Sequence, residues 1–133
     1  MTDKNILKEV KRWQGLLSLH DWVFIIQPVK NSSLSDAGEL AQCLISEASM
    51  SATIILATDL PEEEIKKSVR HEMLHVATND VRSVFDDSCG LLGTEAGTAL
   101  GNRYNKCEER LVIKLERLID KLLPIEENWE EDE

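Results

Sequence analysis

Hydrophobic residues follow two different spacings along the chain, and the spacing changes at identifiable points. A period of three to four residues predicts helices at 5–19, 61–78 and 103–123. Dense runs of β-branched and apolar residues predict strands at 22–29, 40–47 and 52–57. A polar stretch rich in Ser, Asn and Asp at 31–38 is typical of a turn region. The order predicts an α+β fold with an N-terminal helix, a small three-stranded sheet, a central helix and a C-terminal helix.

The central helix has a clear start signal. Asp59 can cap its N-terminus, and Pro61 stands in the first turn, where a missing N–H costs nothing. The three acidic residues at 62–64 favour the positive end of the helix dipole. The segment that follows is therefore expected to be helical.

That predicted helix contains the sequence HExxH, formed by His71, Glu72 and His75 with two intervening apolar residues. Positions i and i+4 share one face of a helix, so both imidazoles can reach one metal ion. Glu72 would project beside them, where a general base could take a proton from a water molecule. Catalytic zinc sites usually have three protein ligands and a water, so a third ligand is expected elsewhere.

The third ligand is expected to be a carboxylate. No histidine follows His75, which excludes the extended HExxHxxGxxH motif. His20 lies far upstream beside a predicted strand, where a turn or surface position is favoured.

Glu108 is the preferred candidate. On the helix predicted for 103–123, leucines and other apolar residues form a stripe in which Glu108 falls at the centre and Glu109 at the edge. A buried carboxylate needs a cation, and a metal would supply one. Tyr104 lies one turn earlier on the same stripe and could bring a hydroxyl to the site, although ordinary packing is the favoured interpretation. Glu95 is the rival ligand, but the glycines around it predict loop or broken helix.

With these residues assembled, the chain resembles the minimal gluzincins, small zincin-like metallopeptidases that include short phage and bacterial proteins. The resemblance covers most of the chain: an opening helix with a tryptophan, a small sheet, the HExxH helix, and a helix with the Glu-Glu-Arg-Leu-Val run at 108–112. It implies a zincin-like fold, Zn²⁺ bound by His71, His75 and Glu108, and Glu72 as general base. It further implies hydrolysis of a peptide or protein substrate. The alternative is a zinc-binding interaction or regulatory module without hydrolytic activity.

Two further segments are given functional interpretations. Residues 79–102 contain several glycines and predict a flap or substrate-side loop over the metal, with local disorder as the alternative. The strand at 52–57 is a candidate for pairing with an extended peptide, with plain core packing as the alternative.

Length and composition predict one domain, residues 1–124, followed by an acidic tail at 125–133 that is expected to be disordered. The net charge is −10, and the basic residues are scattered among glutamates along the sequence, which argues against nucleic-acid binding. There is no long apolar run and no signal-peptide pattern, so membrane association is not expected. Three cysteines without a C-x-x-C pair favour reduced thiols and a cytoplasmic location.

Overall fold

A computed structural model describes residues 3–30 and 41–122. Their internal contacts divide them into two compact units, one within residues 1–76 and one within residues 77–125, and each unit is described by itself. The described residues form an α+β arrangement of four helices and one small mixed sheet. The single domain at 1–124 stays a prediction, and the predicted tail at 125–133 lies outside the described residues.

The first unit begins with a helix, continues through the three strands and ends with the HExxH helix. Its elements are α1 (Asp3–Leu16), β1 (Val23–Val29), β2 (Ala41–Ser46), β3 (Ser51–Ala57) and α2 (Glu62–Ala77). Each lies within a few residues of the predicted range. The predicted turn region at 31–38 falls outside the described residues.

The sheet has the order β1-β3-β2, so β3 is the central strand. It pairs in parallel with β1, with Val23 opposite Ser51, and antiparallel with β2, with Ser46 opposite the same Ser51. Both hydrogen-bonding edges of β3 are therefore occupied. The prediction that strand 52–57 pairs with an extended peptide is wrong, and the packing alternative is correct.

Burial alternates along β3, as expected for a sheet with one covered face. Ala52, Ile54 and Leu56 are buried, and the residues between them are only half-buried. The largest fully buried side chains of this unit come from α1, β3 and α2: Ile6, Trp13, Ile54, Leu56, Ile65, Val69, Met73 and Val76. The core thus holds the HExxH helix in a fixed rotational position.

The second unit contains α3 (Asn79–Gly90) and α4 (Thr94–Leu122), joined by a short turn. The loop predicted for 79–102 is therefore wrong. Gly93 has a φ of 87°, which permits the tight turn between the helices. A Cβ on Gly97 would lie 2.6 Å from the carbonyl oxygen of Cys89, so this glycine allows a close approach between α3 and α4 and does not break the helix.

The longest described helix, α4, has 29 residues. Lysines, arginines and acidic residues run through most of its length. None of the helices within residues 3–30 and 41–122 is long and apolar enough to cross a membrane.

Candidate metal centre

The two motif histidines lie at the border of the buried side of α2. Ile65, Val69 and Met73 are fully buried on that side, whereas His71 and His75 are half-buried. The helix itself is supported at its start by the predicted acidic residues, two of which pair with lysines one turn later at 3.1 and 3.3 Å. The imidazoles are therefore held on a rigid element, with part of each ring open.

The geometry of the two rings matches what a shared metal requires. Nε2 of His71 and Nε2 of His75 are 3.3 Å apart, and the ring planes are inclined at 71°. Two nitrogens bound to one tetrahedral zinc ion at about 2.0–2.1 Å lie about 3.3–3.4 Å from each other. The observed separation of the two nitrogens is compatible with a pair of ligands to a single ion.

The same separation also permits a hydrogen bond between two neutral imidazoles, in which Nε2–H of one ring donates to Nε2 of the other. In that arrangement one Nε2 carries a proton and the other Nε2 gives its lone pair to that proton, so neither is available to a cation. A metal and this hydrogen bond therefore exclude each other, which makes them separable by experiment.

Glu72 is buried, with 8% of its surface exposed. Burial and the charge of Glu72 together raise the pKa of the Cys43 thiol to about 12. Cys43 lies on β2 opposite Ile54, on the side of the sheet that carries the buried residues of β3. The carboxylate of Glu72 is thus close enough to β2 to act on that thiol.

Within the second unit, Glu108 is buried, as the helical projection predicted, with 4% of its surface exposed. The cation that faces it is a guanidinium: Nη1 of Arg82 donates to Oε2 of Glu108 at 2.7 Å. Arg82 also lies 3.7 Å from Asp86.

Sequence reasoning missed Arg82 because its segment was predicted to be a loop, so the side of α3 on which it lies could not be worked out. The role of Glu108 as a metal ligand stays a prediction.

Burial and neighbouring charges both shift the pKa of Arg82. Burial lowers the pKa of Arg82, but the hydrogen bond and charge of Glu108, together with the charge of Asp86, raise it by more. The net shift is upward, so the guanidinium stays charged. A charge-assisted hydrogen bond of this length is among the stronger contacts that a protein makes.

Tyr104 packs inside the second unit. Its ring stacks on Phe85, with centroids 4.4 Å apart, and the guanidinium of Arg82 lies 5.9 Å from the ring centroid. Burial and the charge of Glu108 raise the pKa of the phenol, against the opposing charge of Arg82. These contacts fit the packing interpretation, and a catalytic role for its hydroxyl stays a prediction.

The other candidate residues are exposed. His20 lies in the turn after α1, in agreement with the expected surface position. Glu95 stands in the first turn of α4, in regular helix, so the loop expected around it is wrong. Glu109 follows Glu108 on α4 but has an exposed side chain.

Comparison of the chain with protein-family models, with curated proteins and with solved structures finds no match in any of the three. The resemblance to minimal gluzincins, and the zincin-like fold that it implies, therefore stay predictions from the sequence.

Proposed function

We propose that this protein is a zinc-dependent peptidase of the HExxH type. The observation that carries the proposal is the pair of half-buried imidazoles on α2, with nitrogens 3.3 Å apart and a buried glutamate next to the first of them. Partial burial holds each imidazole in position and leaves part of the ring accessible to a ligand.

In this proposal His71 and His75 are two of the three protein ligands. A bound divalent cation supplies a Lewis acid that polarises the scissile carbonyl and lowers the pKa of water. Glu72 accepts the proton of the attacking water and delivers it to the leaving amine. Its burial favours this role, because desolvation makes a carboxylate a better base.

For the third ligand we propose an acid of α4, and the choice lies between neighbours. Glu108 is engaged by Arg82, and a guanidinium at 2.7 Å from the ligand carboxylate would repel a metal cation. Glu109 has an exposed carboxylate and follows directly on the same helix. We therefore favour Glu109 over the Glu108 that the sequence suggested. Glu109→Gln should weaken zinc binding about tenfold or more, and Glu108→Gln should weaken it less.

The proposal is tested by hydrolysis of a fluorescence-quenched casein by the zinc-loaded chain. Glu72→Gln should lower the rate about 10²–10⁴-fold, the contribution expected of a general base, while the zinc content stays the same. Glu63→Gln is the matched control, because it changes an exposed glutamate on the same helix.

Equal rates for the Glu72→Gln and Glu63→Gln variants would overturn the peptidase proposal. Stoichiometric zinc without hydrolysis of casein or of a degenerate peptide library would also overturn it, in favour of the non-hydrolytic zinc-binding module.

A further inference from the structure

The helix α4 carries an apolar stripe that the described structure leaves uncovered. Leu100, Leu111, Leu118 and Leu122 are exposed at 41, 46, 49 and 71%. Their spacing of 11, seven and four residues places them within an arc of about 40° on a helix. Leu111, Leu118 and Leu122 belong to the apolar stripe that the sequence predicts for 103–123, but within that stripe only Val112 is fully buried. Exposed apolar stripes of this kind often mark interaction sites.

All six basic residues of α4 lie beside that stripe. They are Arg103, Lys106, Arg110, Lys114, Arg117 and Lys121, and each is exposed. Their spacing of three or four residues places them on one side of the helix, along about 27 Å. In sequence order they alternate with acidic residues, but on the helix Glu109, Glu116 and Asp120 lie on the flank of the basic row that faces away from the leucines. We call the leucines and the basic row together the α4 face.

A second copy of this chain fits the α4 face poorly. Antiparallel pairing through the leucines would bring one basic row against the other. Parallel pairing would bring the row against the flank that carries Val112 and Glu108, and Glu108 is already paired with Arg82. Neither arrangement offers carboxylates to the six cations.

Extended polyanions also fit poorly. A nucleic-acid backbone would pair with the basic row but would leave the leucines in water. A bilayer would cover the leucines, but the protein has a net charge of −10, so a wide anionic surface would repel the rest of the chain. A partner no wider than one helix avoids that repulsion, because it contacts the α4 face alone.

We propose that the α4 face binds an acidic amphipathic helix of a partner protein. Apolar residues of the partner contact the leucine stripe, and its aspartates and glutamates pair with the basic row. Helices with this pattern are recognised in grooves by apolar anchors at i, i+3, i+4 and i+7. The charge pattern sets orientation and the rate of association.

The test is a binding measurement with the full chain and a fluorescein-labelled peptide of about six helical turns. In this peptide leucines repeat at i, i+3, i+4 and i+7, and glutamates fill the flanking positions. Fluorescence anisotropy should show saturable binding that weakens as salt is added. A peptide with lysine in place of each glutamate should not bind.

Two matched pairs of variants locate the site. Arg110→Glu with Lys114→Glu should weaken binding about tenfold or more, whereas Lys4→Glu with Lys11→Glu makes the same charge change on exposed positions of α1 and should leave binding unchanged. Leu111→Ser should weaken binding about tenfold. Leu7→Ser is its control, because Leu7 and Leu111 are both 46% exposed.

Absence of peptide binding would overturn the proposal, and so would equal losses in the two variants of a matched pair. Tighter binding of a duplex DNA or of phosphatidylglycerol vesicles, with the same dependence on Arg110 and Lys114, would also overturn it and assign the face to that polyanion. Circular dichroism and urea midpoints confirm that each variant is folded.

Discussion

The buried carboxylate of Glu72 acts on a second side chain, the thiol of Cys43. Because burial and the charge of Glu72 raise the pKa of Cys43 to about 12, the thiol is protonated at neutral pH. The thiolate is the form that reacts with alkylating agents. Cys107 is exposed on α4 and provides an internal reference.

We predict that iodoacetamide labels Cys107 at pH 8 long before it labels Cys43. Glu72→Gln removes one cause of the raised pKa and should speed the labelling of Cys43, whereas Glu63→Gln should leave it unchanged. Mass spectrometry of tryptic peptides measures both rates. Equal labelling of Cys43 and Cys107 in the unchanged chain would contradict the raised pKa of Cys43, and an unchanged labelling rate of Cys43 in Glu72→Gln would contradict the contribution of Glu72.

The same thiol links stability to pH. The pKa of the Cys43 thiol is higher in the folded than in the unfolded protein. The contribution of this thiol to the free energy of unfolding is therefore complete below the pKa of the unfolded chain, about 8.5. The contribution is lost as the pH rises toward the folded value of about 12. We predict that the urea midpoint falls over this range and that Cys43→Ala makes the fall shallower. An unchanged pH dependence in Cys43→Ala would contradict the assigned pKa.

The ion pair between Arg82 and Glu108 gives a third prediction for single residues. Arg82→Gln removes the guanidinium that donates to the buried carboxylate of Glu108, and should destabilise the second unit by on the order of 1.5–3 kcal/mol, the value of a hydrogen bond to a charged group. Adding Glu108→Gln to the same chain should restore part of the loss, because a buried charge that has lost its guanidinium partner is removed. Urea unfolding measures both effects. A double variant less stable than Arg82→Gln alone would contradict this interpretation.

Among the elements, α3 and α4 are held together where one glycine allows close approach. Gly97→Ala would place a Cβ 2.6 Å from the Cys89 carbonyl oxygen, whereas Gly101→Ala would meet nothing within 4 Å. We predict a loss of about 1–3 kcal/mol for Gly97→Ala from overpacking, and a gain of up to about 1 kcal/mol for Gly101→Ala from helix propensity. Urea midpoints of the two variants test this, and equal effects would contradict the close approach.

The sequence allowed α1, the three strands and α2 to be located because each has a periodic apolar pattern that its own packing uses. It did not allow α3 or the start of α4 to be found. Gly97 and Gly101 look like helix breakers, and the reason for Gly97 is a contact with Cys89 that no local pattern reveals. The position of β3 at the centre of the sheet was likewise unpredictable, because strand order depends on contacts between distant segments.

The sequence likewise allowed part of the candidate site to be predicted. His71, Glu72 and His75 follow from spacing on one helix, so the face that the two imidazoles share could be worked out from the sequence alone. The burial of Glu108 also followed from its spacing on α4, and the structure confirms it. Its partner Arg82 is 26 residues away on α3, and that pairing depends on how two helices pack.

For the whole molecule, a metal bound to the folded chain must stabilise it. A ligand at a hundred times its dissociation constant adds about 2.7 kcal/mol if it binds only the folded form. We therefore predict that zinc raises the thermal midpoint of the unchanged chain and leaves that of His75→Ala unchanged. Differential scanning calorimetry with added zinc or chelator measures the shift, and an equal shift in both proteins would place the metal elsewhere.

The most direct test of the central claim is the metal content of protein purified without chelators or a histidine tag. Elemental analysis should find one zinc ion per chain in the unchanged protein, in Glu72→Gln and in His20→Ala, which alters the one histidine outside the motif. It should find none in His71→Ala and in His75→Ala. A chain that binds no divalent cation even after incubation with zinc, or one that keeps it when both motif histidines are replaced, would contradict a metal centre on α2.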